Sequence, residues 1–95
     1  MDCGEVKFTG HAIQRMFERS INVDDVLFVI GSGEVIAEYP EDTPFPSYLI
    51  LGFIKSRPIH VVVAKDNQGK FCHIITAYPP DPAQWTADFK ARRSS

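Results

Sequence analysis

The spacing of apolar positions changes once along the chain, near residue 34, from a helical to a strand period. Before that point Val6 and Phe8 alternate with Glu5 and Lys7, which predicts a short strand, and Thr9 stands where a helix N-cap would. Ala12, Ile13, Met16 and Phe17 then recur on one face of a helix predicted over Gly10 to Arg19. Asn22 is a second N-cap, with Asp24 and Asp25 in the first turn, where carboxylates complement the free amides and the helix dipole. Val26, Leu27, Val29 and Ile30 form the stripe of this second helix, which Gly31-Ser32-Gly33 stops. The two helices are expected to form an αα-hairpin.

From Glu34 the period is that of strands. Glu34 to Tyr39 leads into Pro40-Glu-Asp-Thr-Pro-Phe-Pro46, whose prolines exclude regular structure. Tyr48 to Lys55, Ile59 to Lys65 and Phe71 to Tyr78 follow as strands, separated by Ser56-Arg57-Pro58 and Asp66-Asn67-Gln68-Gly69. The expected architecture is α+β, a two-helix hairpin packed on a twisted antiparallel sheet of about four strands. Tyr48-Leu-Ile-Leu and Val61-Val-Val-Ala are apolar at both parities, so the middle strands must be covered on both faces. The second cover is either Pro82 to Lys90, with Trp85 and Phe89 four apart on a short C-terminal helix, or another protein chain.

Ninety-five residues fit one domain, here 1–95, because a second core could not bury enough apolar surface. With 44% hydrophobic and 23% charged residues the chain reads as a folded domain, not a disordered tail or coiled coil. No apolar stretch approaches the roughly 20 residues that span a bilayer, and the N-terminus lacks a signal pattern, so the expected location is cytoplasmic. Cys3 and Cys72 lie far apart in sequence and are expected as reduced thiols, Cys72 as a small buried side chain. The net charge of −2 is unevenly spread. Residues 22–46 carry six carboxylates and no basic residue, whereas residues 47–95 carry seven basic residues against three acidic ones. A basic back half attracts phosphate; the acidic stretch repels it unless the fold turns it away.

Three residues carry the sharpest chemical signal. His11, Arg15 and Arg19 fall at i, i+4 and i+8 of one helix, so two guanidiniums and an imidazole share a stripe suited to a phosphodiester. The alternative is that Arg15 and Arg19 pair with Glu18 or with the acidic second helix. His60, inside an apolar strand, is either a hydrogen-bonded structural histidine or a general base or acid facing His11 across a cleft between helix and sheet. Tyr78, at the end of the last strand, would donate a hydrogen bond, stack a base or serve packing. Neighbouring strand residues point to opposite faces, so Cys72 and His73 cannot readily share a metal; neither metal nor cofactor is expected. Lys90, Arg92 and Arg93 would meet nucleic acid or an acidic partner.

The segments Phe8-Thr-Gly-His-Ala-Ile-Gln-Arg-Met-Phe-Glu-Arg-Ser-Ile21, Gly33-Glu-Val-Ile36, Pro46-Ser-Tyr-Leu49, Pro58-Ile-His-Val-Val62 and Tyr78-Pro-Pro-Asp-Pro-Ala-Gln-Trp85 resemble a family of short bacterial proteins. That family is labelled a domain of unknown function and is regarded as RelE/ParE-like. Its members are often encoded beside a YgiT-type zinc-finger protein, as a toxin beside its antitoxin. The resemblance implies a helix hairpin on an antiparallel sheet and a toxin that cleaves messenger RNA, on the ribosome or free. His11, His60 and the two arginines would supply the base, acid and cations for metal-independent attack by the 2′-hydroxyl. His11, Arg15, Arg19 and His60 match its motif, and Tyr78 falls where such toxins often carry a functional residue. RNA-cleaving toxins of that kind are strongly basic, whereas this chain is net acidic. Its implied partners are a zinc-finger antitoxin and RNA, on the ribosome or free; the doubly apolar strands with Trp85 and Phe89 would separately allow a homodimer. The competing expectations are a non-catalytic interaction or oligomerisation module, and a gyrase-targeting or inactivated toxin relative.

Overall fold

The structure, a computed structural model, describes residues 1–66, 68 and 70–94. The element order is β1 (Glu5–Phe8), α1 (Gly10–Glu18), α2 (Val23–Ser32), β2 (Glu34–Tyr39), β3 (Ser47–Ile54), β4 (Arg57–Lys65) and β5 (Phe71–Tyr78). Of the turn predicted at 66–69, Asn67 and Gly69 lie outside the described residues.

The helix starts follow their predicted caps. The Thr9 side chain accepts from the Ala12 amide, and Asn22 and Asp25 form a reciprocal capping box. At the end of α1, Arg57 donates to the Arg19 and Ser20 carbonyls at 2.6 and 2.9 Å, placing a cation where the helix leaves acceptors unpaired.

The sheet corrects the expected architecture. It has five strands in the order β1-β5-β4-β3-β2, and it is mixed, because β1 pairs parallel with β5 while the other pairs are antiparallel. The short Glu5–Phe8 segment joins this sheet as an edge, and the connection from β1 to β5 carries both helices and three strands. The helices are not a hairpin docked as a unit. Each lies on the sheet by itself, α1 on β5 and α2 on β3 and β4. Gly52 makes the second seat: a Cβ there would fall 2.8 Å from a Val29 methyl, so only glycine lets α2 approach β3 this closely.

A narrow contact also explains why the helical stripes are half wet. Ala12 and Met16 are buried, but Ile13 and Phe17 are 40% and 84% exposed; on α2, Leu27 is exposed while Val26, Val29 and Ile30 are buried. Among the described residues no second layer covers the outer side of either helix, so each buries only its innermost row. The core between helices and sheet joins these residues to Ile50, Ile59, Val61, Val63, Ile74 and Ala77.

The other face of the sheet is buried too, as the doubly apolar strands required. Leu49, Leu51, His60 and Ala64 are buried there, and Trp85, 7% exposed, packs edge-on against His60. The cover is the chain's own C-terminal segment, but it is not a helix. Thr86 and Arg93 amides bond Ala91 and Gln84 carbonyls, Trp85 bridges Arg92, and Phe89 sits at φ 62°. Thr86 and Asp88 use their short polar side chains on one another and on the Lys90 amide, competing with helical bonding, and the left-handed Phe89 excludes a continuous helix. The result is an irregular strap tied to β2 by the Lys90–Glu34 ion pair at 3.2 Å.

The cysteines correct a second expectation: Cys3 and Cys72 form a disulfide, with Cα atoms 5.7 Å apart. Sequence distance misled, because the parallel register of Val6 with Cys72 brings the N-terminal segment alongside β5. The bridge closes a separation of 69 residues, so its loss should be costly. Reduction, or Cys3→Ser, is expected to lower unfolding stability by about 2–4 kcal/mol, read from urea unfolding with and without reductant.

Candidate functional site at the open edge of β5

Because β1 pairs only as far as Ile74, the last residues of β5 have no strand on that side. Arg19 occupies the vacancy. Its Nη1 donates to the Ala77 carbonyl at 2.9 Å and to Thr76 Oγ1 at 3.2 Å, holding the guanidinium half-buried at the strand edge. Arg15, one turn back, is exposed and lies 3.5 Å from Glu18, a surface pair worth little. Thus Arg15 does pair with Glu18, whereas Arg19 is held at the sheet edge through Nη1.

His60 and Tyr78 occupy paired positions on β4 and β5 and so project from the same face. The face is the one opposite α1. Ile59 and Val61 point into the helical core, so His60 between them points to the strap. It is fully buried, 4.4 Å edge-on from the Trp85 ring. A base facing His11 in a cleft between helix and sheet is therefore not what this fold builds. His11 is exposed, and eight helical residues put it about 12 Å along the axis from Arg19. The stripe stays a line, and His11 does not reach a phosphate held at Arg19.

The surroundings of His60 fix its chemistry. Nε2 lies 2.9 Å from the Phe89 carbonyl, which can only accept, so Nε2 carries the hydrogen. In the neutral ring Nδ1 is then the acceptor, and it faces the Tyr78 hydroxyl at 3.3 Å. Burial holds the imidazole below its ordinary pKa of 6.5; the Phe89 carbonyl opposes this and the Arg92 guanidinium adds to it. For Tyr78, burial and then the Tyr39 hydroxyl raise the phenol above its usual 10, against Arg92 and Arg19. The structure thus brings together Arg19, Tyr78 and His60, in that order from surface to interior. It adds Arg92, which the sequence offered only as part of a basic tail. Among the described residues no group of three or more His, Cys, Asp or Glu side chains could hold a metal ion.

Residues 8–79, most of the chain, match the family described as Domain of unknown function (DUF4258). The chain belongs to this family. The matched span of this DUF4258 protein includes β5 and His11, Arg15, Arg19, His60 and Tyr78, and ends one residue beyond Tyr78. Comparison with curated proteins and with solved structures gives no match. No helix of the described residues is long and apolar enough to cross a membrane.

The depressed His60 pKa sets a sign for stability. The unfolded imidazole takes up a proton near pH 6.5, whereas the folded one resists until lower pH. Protons therefore favour the unfolded state, and stability should fall as pH drops from 6.5 through the folded pKa. Urea unfolding between pH 7.5 and 5 is expected to show this decline, with a smaller slope in His60→Gln.

Proposed function

We propose that this DUF4258 protein is a toxin-like endoribonuclease whose reacting centre is the edge of β5, with Tyr78 as the group that moves the proton and Arg19 and Arg15 as the phosphate-binding cations. The observation that carries the reading is the Arg19 guanidinium tethered at Ala77, one residue from a tyrosine whose hydroxyl meets a buried, tautomer-fixed histidine. Such a pair suits metal-independent cleavage. The RNA 2′-oxygen attacks phosphorus and the bond from phosphorus to the 5′-oxygen breaks, leaving a 2′,3′-cyclic phosphate. The 2′-hydroxyl proton passes to Tyr78 Oη as the phenolic proton passes to His60 Nδ1, and water protonates the departing 5′-oxygen. The guanidiniums stabilise charge on the pentacoordinate phosphorus. His60 acts behind Tyr78, and His11 belongs to the flanking surface.

The net acidic composition does not oppose this, because α2 and β2 carry the carboxylates of residues 22–38 at the other side of the sheet from β5. A second reading, a protein-partner face, is favoured by Phe17. It is 84% exposed beside an apolar hollow of about 210 Å³ lined by Ile13, Met16, Ile21 and Val23. In the toxin reading this is where an antitoxin would cover the protein.

Controlled induction in a bacterial host, with RNA examined at the same times, tests the proposal. The parent chain should arrest growth and cleave RNA. Tyr78→Phe, which keeps the ring, should lose at least about 100-fold in cleavage rate, and Arg15→Ala should lose cleavage without loss of thermal stability. Equal cleavage by Tyr78→Phe overturns the assignment; arrest without cleavage points to another target.

A further inference from the structure

The strap covers only one end of the second sheet face. At the other end, beyond Ala64, the loop between β2 and β3 folds back and leaves a cavity of about 310 Å³ lined by Asp42, Thr43, Pro44, Phe45, His73 and Ile75. We propose that this cavity is a subsite for one unstacked nucleobase of a single-stranded RNA, with guanine the base it fits best. The inference deepens the ribonuclease reading and rests on it for the RNA, but not for the base.

Three observations argue for a flat, hydrogen-bonding occupant. The Phe45 and His73 rings are nearly parallel, 9° apart with centroids 5.8 Å apart, and Phe71 lies next along the strand with its centroid 6.5 Å from His73. Such rings offer stacking surface to any base. The volume stands at the lower end of small-molecule pockets, matching a single planar ring system and not a folded peptide side. Finally, Asp42 supplies a carboxylate at the rim. It accepts one hydrogen bond, from the Ser47 hydroxyl, out of about four acceptor positions. Guanine is the base whose edge presents two adjacent N–H donors to a carboxylate, and uracil has no matching pair.

Charge fits the same orientation. A carboxylate repels phosphate, so the base and not the backbone enters, while the Lys7 ammonium, 4.2 Å from the Phe71 ring centre, stands beside the path. His73 and Tyr78 both lie on β5, about 16 Å apart along it at 3.3 Å per residue. A strand of a few nucleotides could therefore seat a base at His73 and a phosphate at Arg19.

Guanosine and uridine, added separately to the full chain and followed through the His73 ring resonances by NMR, test the subsite. Guanosine should move these resonances saturably and bind at least about tenfold more tightly than uridine. Ile75→Trp, which fills the cavity from an exposed position, and Phe45→Ala should each weaken guanosine about tenfold, and Asp42→Asn should narrow the gap between the two nucleosides. Unmoved His73 resonances, or unchanged affinity in Ile75→Trp, overturns the subsite even if RNA is cleaved. Guanosine binding that survives in Arg15→Ala and Tyr78→Phe, in a protein that cleaves no RNA, leaves the subsite standing and removes the ribonuclease.

Discussion

The parallel pairing of β1 with β5 is the constraint on which the other features hang. It converts β5 from an edge into an inner strand, and Cys3 reaches Cys72 because of it. It also stops short. Since β1 ends at Phe8, opposite Ile74, the final residues of β5 keep a free edge, and α1, which leaves β1 directly, returns Arg19 to that edge. A longer first strand would have paired Ala77 and left Arg19 in solvent. The shortness of β1 and the placement of the guanidinium are one fact.

The second sheet face is organised by His60. A buried imidazole must have its nitrogens met, and here one is met by the strap backbone at Phe89 and the other by Tyr78. The two contacts join the C-terminal segment to the strand that carries Tyr78. Trp85 packs edge-on against the ring, and this burial holds its pKa below the ordinary value. Packing and chemistry draw on the same groups, so the region cannot loosen without altering the hydroxyl it positions.

Local signals were legible in the sequence where local physics decides. Thr9, Asn22 and Asp25 cap helices by hydrogen bonds that reach only three residues, and both starts are where those residues put them. The doubly apolar β3 and β4 announced a covered second face. What was illegible depends on long-range register. Nothing within Glu5–Phe8 says that it pairs parallel with a strand at the far end of the chain, and without that pairing neither the mixed sheet nor the disulfide can be inferred. The side on which His60 points follows from strand parity only once Ile59 and Val61 are known to face the helices. The segment with Trp85 and Phe89 is one of the two covers the sequence allows, the other being a second chain, but its spacing suggests a helix that Asp88 and the left-handed Phe89 preclude.

The order of the chain gives the β1–β5 closure a temporal meaning. β1 emerges first and its partner is the fifth strand, so during synthesis the N-terminal strand waits unpaired while both helices and three strands appear. Until β5 is made, α1 has no strand beneath Ala12 and Met16, and until the strap follows, His60 lacks its cover of Trp85 and Phe89. Such non-local closure is slow to nucleate. Before β5 is made, the nascent protein therefore lacks the strand under α1, and the edge that carries Arg19 and Tyr78 can form only after β5 has been synthesised.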